Sequence, residues 1–108
     1  MPQLKFRGIK KENIINISEQ LLKDLVDIVG CPEDYFTFEH IHSDFIFKGE
    51  EVEGYPFVEM AWFDRGQEVR DKVAKAVTTY IQGEGYKDVD MFFVTLKEDS
   101  YYENGEHF

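Results

Sequence analysis

The residues best suited by type and position to do chemistry stand at the head of the chain, Met1-Pro2-Gln3-Leu4-Lys5-Phe6-Arg7-Gly8. Loss of Met1 would leave Pro2 with a secondary amine. An α-amine ordinarily titrates near 7.7–8.0, and a low-dielectric setting lowers that value because it disfavours the charged form. A neutral N-terminal proline then serves as a general base near neutral pH. A second constellation is Glu39-His40-Ile41-His42-Ser43-Asp44. On a strand, residues two apart face the same way at about 6.6–6.8 Å, so His40, His42 and Asp44 would converge as metal ligands do. Phe36 and Phe38 share that parity, however, and no second ligand cluster accompanies it apart from His107, so no metal is expected. Cys31 is the single cysteine, which rules out an intramolecular disulfide; it reads as a small filler after a helix rather than a nucleophile. No Gly-rich phosphate loop, nucleophile elbow or paired-cysteine motif occurs, and no cofactor is expected.

The elements that must position these residues follow from periodicity. Leu4 and Phe6 alternate with Gln3, Lys5 and Arg7, the period of a half-buried strand over 2–8. Over 10–29 the period changes. Ile14, Ile17, Leu21, Leu25 and Ile28 fall three or four apart, so an amphipathic helix is expected, ended by Gly30 and Pro32. Residues 35–47 read as one long strand bent near Ser43-Asp44, and Lys48-Gly49-Glu50-Glu51 as a turn. The acidic run Glu50-Glu51-Val52-Glu53 reads as a solvated loop. Residues 55–63, apolar except at Glu59, suit a central strand covered on both faces. Asp64 is the expected N-cap of a second helix, with Gln67 completing a capping box. Val69, Val73, Ala76, Val77, Tyr80 and Ile81 form its apolar stripe, and Gly83 and Gly85 end it. A fourth strand is expected over 89–96, and Asn104-Gly105 marks a hairpin turn in the tail, 97–108.

Strand, helix and strand thus occur twice, over about 2–47 and 55–96, and the glycines after the helices, Gly30 and Gly85, lie 55 residues apart. The expected architecture is a single α/β (α+β) domain spanning 1–108. It is a two-layer sandwich of duplicated βαβ units, with two helices on one face of a four-stranded sheet. The order of elements alone leaves a ferredoxin-like topology open. A formal net charge of −10 excludes nucleic acid and anionic membrane as partners, which need a cationic footprint. Aromatic residues make up 16% of 108 residues, more than a lone body of this size hides, which favours self-association or an aromatic-lined pocket. No apolar run with a basic flank opens the chain and no stretch reaches membrane-span length, so a cytoplasmic location is the expectation.

With these elements in place, the chain resembles the tautomerase superfamily, the family of macrophage migration inhibitory factor. The resemblance is carried by Met1-Pro2 opening a strand, Gly30-Cys31-Pro32-Glu33-Asp34-Tyr35 after the first helix, the two βαβ halves and the Tyr101-Tyr102-Glu103-Asn104-Gly105 tail. Trp62-Phe63-Asp64-Arg65-Gly66 and residues 101–108 look most like an uncharacterised bacterial family within it. The resemblance implies a homotrimer, with tail strands extending neighbouring sheets, and sites at subunit interfaces around the N-terminal proline. There are departures. Cys31 stands where the pattern after the helix has lysine, and Asp90 and Phe92 stand where the inhibitory factor has tyrosine and asparagine.

Arg65 is then the natural cation for a substrate carboxylate, since some relatives place an arginine in that loop. The resemblance therefore implies proton transfer on a small keto or unsaturated carboxylic acid. Pro2 would be base and then acid, Arg65 the carboxylate anchor, and Phe63 with Tyr101 or Tyr102 the apolar wall. Tyr101, Tyr102, Glu103 and His107 read equally as an intersubunit hairpin. Two alternatives stand beside this. One is a non-catalytic trimer of the same fold that keeps Met1 and binds a ligand or partner. The other is a ferredoxin-like dimer that holds a small hydrophobic molecule.

Overall fold

The first strand, β1 (Gln3–Arg7), buries Leu4 and Phe6 completely and leaves Gln3, Lys5 and Arg7 half-exposed, so the alternation in sequence becomes two distinct faces. The computed structural model describes all 108 residues. Helix α1 (Lys11–Val29) follows and lays Ile14, Ile17, Leu21, Leu25 and Val29 against the buried face. It ends at Gly30, whose N–H donates to the Val26 carbonyl at 2.8 Å. Its start is held from far along the chain. The Tyr86 hydroxyl accepts from the Lys10 N–H at 3.0 Å and from Asn13 Nδ2 at 2.6 Å.

A short 3-10 turn (Glu33–Tyr35) leads to β2 (Thr37–His40), which pairs with β1 in parallel. β3 (Phe45–Phe47) and β4 (Glu50–Val52) form a separate antiparallel hairpin. β5 (Phe57–Trp62) pairs antiparallel with β1, helix α2 (Gln67–Gly83) packs beside α1, and β6 (Asp90–Thr95) pairs with β5 in parallel. β7 (Tyr102–Glu103) and β8 (Glu106–His107) close the chain as a hairpin around Asn104-Gly105. The main sheet runs β2-β1-β5-β6 with both helices on one face: two βαβ units joined back to back.

That order disposes of the ferredoxin-like alternative. In a split βαβ arrangement a strand of the other half lies between the two strands of a unit. Here β1 touches β2 and β5 touches β6 directly.

Three local expectations are also corrected. The long strand over 35–47 is broken after His40: β2 follows β1, whereas β3 leaves the sheet to pair with β4. The break spoils the shared facing of His40, His42 and Asp44. His40 Nε2 lies 3.0 Å from the Ile9 carbonyl, while His42 and Asp44 are exposed and 3.7 Å apart. Part of the acidic run is strand β4, solvent-exposed, rather than loop. β5 is covered on one face only. Val58, Met60 and Trp62 lie under the helices, while Phe57, Glu59 and Ala61 face away from them, beside the exposed Phe92 and Val94 of β6.

One close approach fixes the exit from β1. At Gly8, with φ +74°, a Cβ would stand 2.0 Å from the Tyr55 carbonyl oxygen. Backbone cannot yield as a flexible side chain does, and the left-handed conformation adds strain of its own. Gly8→Ala is expected to destabilise the fold by about 3 kcal/mol or more, read as a lower midpoint in urea with the slope unchanged.

Candidate active site

Pro2 is buried at the mouth of β1, and its carbonyl accepts from the Thr37 N–H at 3.1 Å. The β1–β5 register pairs Gln3 with Ala61, so one residue further on Pro2 faces Trp62 across the strands. By alternation both lie on the helix side. Trp62 is pinned in turn, its carbonyl accepting from the Leu96 N–H at 2.7 Å. Beyond β5 the chain runs through Phe63, Asp64, Arg65 and Gly66 into α2. A cavity of about 140 Å³ forms at this end of the sheet, lined by Met1, Pro2, Cys31, Trp62, Phe63 and Arg65, with Val29, Tyr35 and Phe108 completing the wall. An apolar cavity of about 150 Å³ takes a benzene molecule, so a ligand of about six non-hydrogen atoms fits here.

Pro2 therefore meets Phe63 and Arg65, which lie together in a loop distant from it in sequence. Tyr101 stands one layer back: its ring contacts Phe63 at 5.4 Å and Phe108 at 5.1 Å, and Phe63 stacks on Phe108 at 5.3 Å. Tyr102 is not brought to the cavity. It is 61% exposed and packs against His107. Sequence reasoning missed Cys31, Trp62 and Phe108 as wall residues. The two rings were legible only as apolar mass; Cys31 had a signal in its place after the helix, where the family pattern has lysine, but its side-chain chemistry suggested no role. A larger cleft of about 640 Å³ lies elsewhere, between β3–β4 and the start of α1, lined by His40, His42, Asp44, Lys10 and Glu51 among others. Neither Pro2 nor Arg65 reaches it, and no three His, Cys, Asp or Glu side chains anywhere are grouped to hold a metal ion.

Burial holds the Met1 amine below its ordinary 8.0; Cys31 and Glu103 oppose the shift, and Arg65 reinforces it. Burial also pushes the Cys31 thiol above its ordinary 9.0, against the pull of Arg65 and the N-terminal amine. One polar atom has no counterpart. The indole Nε1 of Trp62 is the one buried side-chain nitrogen or oxygen without a hydrogen-bond partner. Leaving such a donor unpaired costs about 1–3 kcal/mol.

The loop that presents Phe63 and Arg65 is set by Asp64, though not as a helix cap. The helix begins only at Gln67, after Gly66, and no side chain caps it. Asp64 instead turns back on the loop, accepting from the Gly66 N–H at 3.0 Å and from the Arg70 guanidinium. Gly66 sits at φ 94°, ψ 168°, a conformation essentially confined to glycine. The competing local bond to Gly66 displaces the expected capping box.

The fold is that of the tautomerases. A macrophage migration inhibitory factor-like protein from Entamoeba histolytica superposes with a TM-score of 0.77 at 15% identity, over 99% of this chain and 98% of that one. Within that class the chain belongs to the family described as a domain of unknown function, DUF1904, whose model matches residues 1–107. A DUF1904 structure from Sebaldella termitidis is similar at 41% identity and TM-score 0.94, covering 100% of both chains. A protein of unknown function from Vibrio cholerae is similar at 30% identity and TM-score 0.88, over 99% of this chain and 87% of that one. No curated protein matches the sequence significantly.

Asp64 supplies a pH test of the loop. Its carboxyl titrates below the ordinary 3.8, first through the Gly66 N–H and then through Arg70. The unfolded chain thus binds this proton more readily than the folded one, so the stabilisation is full above pH 3.8 and disappears as pH falls through the folded value. Asp64→Asn is expected to be less stable than wild type at pH 6, with the gap closing in strong acid. Urea midpoints measured across that range check it, and a gap constant with pH would contradict it.

Proposed function

We propose that the protein transfers a proton next to a carbonyl on a small 2-oxo or unsaturated carboxylic acid, with the Pro2 amine as base and then acid. The observation that carries this reading is the meeting of Pro2, Phe63 and Arg65 around one small cavity. Arg65 is the only cationic side chain in that wall, and a guanidinium grips a carboxylate through two parallel hydrogen bonds. Phe63, backed by Tyr101 and Phe108, keeps the amine in an apolar setting, the condition that lowers its pKa toward neutrality. Tyr102 joins the wall only if a neighbouring copy brings it there.

The assembly that fits is a homotrimer. Both outer strands, β2 and β6, have an unpaired edge, and the hairpin arm exposes Ile46 (73%) and Phe47 (63%). Open edges and apolar arms of this kind are stable in water when a second chain covers them. No helix is long and apolar enough to cross a membrane.

Met1 itself lines the cavity, and while it is present the Pro2 nitrogen is an amide. The second reading is a non-catalytic oligomer of the same fold that keeps Met1 and holds a ligand at this site. Intact mass separates the two, since catalysis requires the loss of one methionine residue.

For the protein lacking Met1, deuterium exchange at C3 of 2-oxobutanoate in D₂O, followed by ¹H NMR, is expected to fall about 100-fold or more in Pro2→Ala. Equal exchange rates for the two proteins would remove Pro2 from the chemistry.

A further inference from the structure

The segment that leads from β5 into α2 carries Asp64, Arg65, Glu68, Arg70, Asp71 and Lys72 within nine positions, 64–72. All of these charged side chains have partners except one. Arg70 donates from one terminal nitrogen to the Asp64 carboxylate and from the other to Gln67 Oε1 at 2.9 Å. Gln67 Nε2 donates in turn to Asp71 at 2.8 Å, and Lys72 lies 3.5 Å from Glu68. The Arg65 side chain makes neither a hydrogen bond nor an ion pair, although Asp64 is its neighbour in the chain.

The guanidinium that lines the cavity is thus the one left free, and the capture of Asp64 is what leaves it so. The Asp64 carboxylate is folded over the Gly66 N–H at 3.0 Å, one residue beyond Arg65. An uncompensated carboxylate in that place would pair with the guanidinium beside it, or cancel its field for an incoming anion. Arg70 opposes both. Its charge balances Asp64, and its planar fork draws the carboxylate toward α2. Arg70 is itself fixed to the loop, its N–H donating to the Gly66 carbonyl at 3.1 Å. The pair is also partly shielded, with 27% of the Arg70 and 37% of the Asp64 side chain exposed, so salt screens it less than an open surface pair.

We infer that Arg70 is a positioning residue for the carboxylate-binding site: it holds Asp64 off Arg65 and so keeps that guanidinium available to the acid. Arg70 does not line the cavity, and its effect on a ligand passes through Asp64. The inference rests on the reading of Arg65 as carboxylate anchor and deepens it by naming what keeps the anchor open.

A double-mutant cycle tests it, with ¹⁵N-labelled protein lacking Met1 titrated with 2-oxobutanoate. Arg70→Met is expected to weaken binding about fivefold while Asp64 is present. Once Asp64→Asn has removed the carboxylate, the same substitution is expected to have no effect. The neutral 2-oxobutanamide is expected to bind wild type and Arg70→Met equally. In the exchange assay the loss in Arg70→Met is expected in KM, with kcat unchanged. If Arg70→Met does not fold, Arg70→Gln, which removes the charge and keeps a polar head, completes the cycle.

An equal loss with and without the Asp64 carboxylate overturns the inference, since Arg70 would then act without it. So does an unchanged affinity in the Arg70 variants, an equal loss for acid and amide, a loss confined to kcat, or a wild type that does not bind the acid saturably. The two readings fail separately. Binding that depends on Arg70 through Asp64, without exchange, keeps the positioning role and removes the proton transfer. Pro2-dependent exchange with an affinity indifferent to Arg70 does the reverse.

Discussion

The antiparallel pairing of β1 with β5 is the constraint from which the rest of the architecture follows. It joins two βαβ halves that each carry an amphipathic helix, and neither half could cover its apolar surface alone. Across that seam Leu4 meets Met60 and Phe6 meets Val58, all four completely buried beneath α1 and α2. A slip of one residue would turn this whole row onto the opposite face, so the register is strongly specified. The same register sets Pro2 against Trp62. The position of the candidate chemistry is therefore a consequence of core packing, not of a separate device.

The charge distribution looks unfavourable for binding an acid until distances are considered. A net charge of −10 repels anions at long range. At physiological salt, however, exposed charges are largely screened beyond about 8 Å. Arg65 is the one charged side chain among those that line the cavity, and it stands exposed at the rim, where its own field outweighs that of distant carboxylates. Local geometry wins over net charge here.

The face of the sheet turned away from the helices tells a complementary story. Phe57, Ala61, Phe92 and Val94 share it with a Lys5–Glu59 ion pair at 3.8 Å and with Arg7, whose guanidinium lies 5.1 Å from the Phe57 ring centre. Such a mixture is too apolar for a solvated surface and too polar for a monomer core. It explains why residues 55–63 read as a strand buried on both faces although the chain itself covers only one of them.

The sequence by itself was sufficient for much of this. The first helix, expected over 10–29 and found at 11–29, its end at Gly30, the tail turn at Asn104-Gly105, the doubled βαβ pattern and the two-layer fold were all legible, because they are written in local periodicity and local backbone preference. Tertiary structure decided what depends on partners distant in sequence. Strand order is one case, since apolar alternation is the same in a split and an unsplit βαβ unit. The break after His40 is another, because β-propensity records no pairing partner, and so is Asp64, where a local turn outcompeted a cap. Trp62 is the clearest. Its composition said only that it was large and apolar, and whether its N–H was satisfied could be known only once β1, α1 and the loop bearing Arg65 had closed around it.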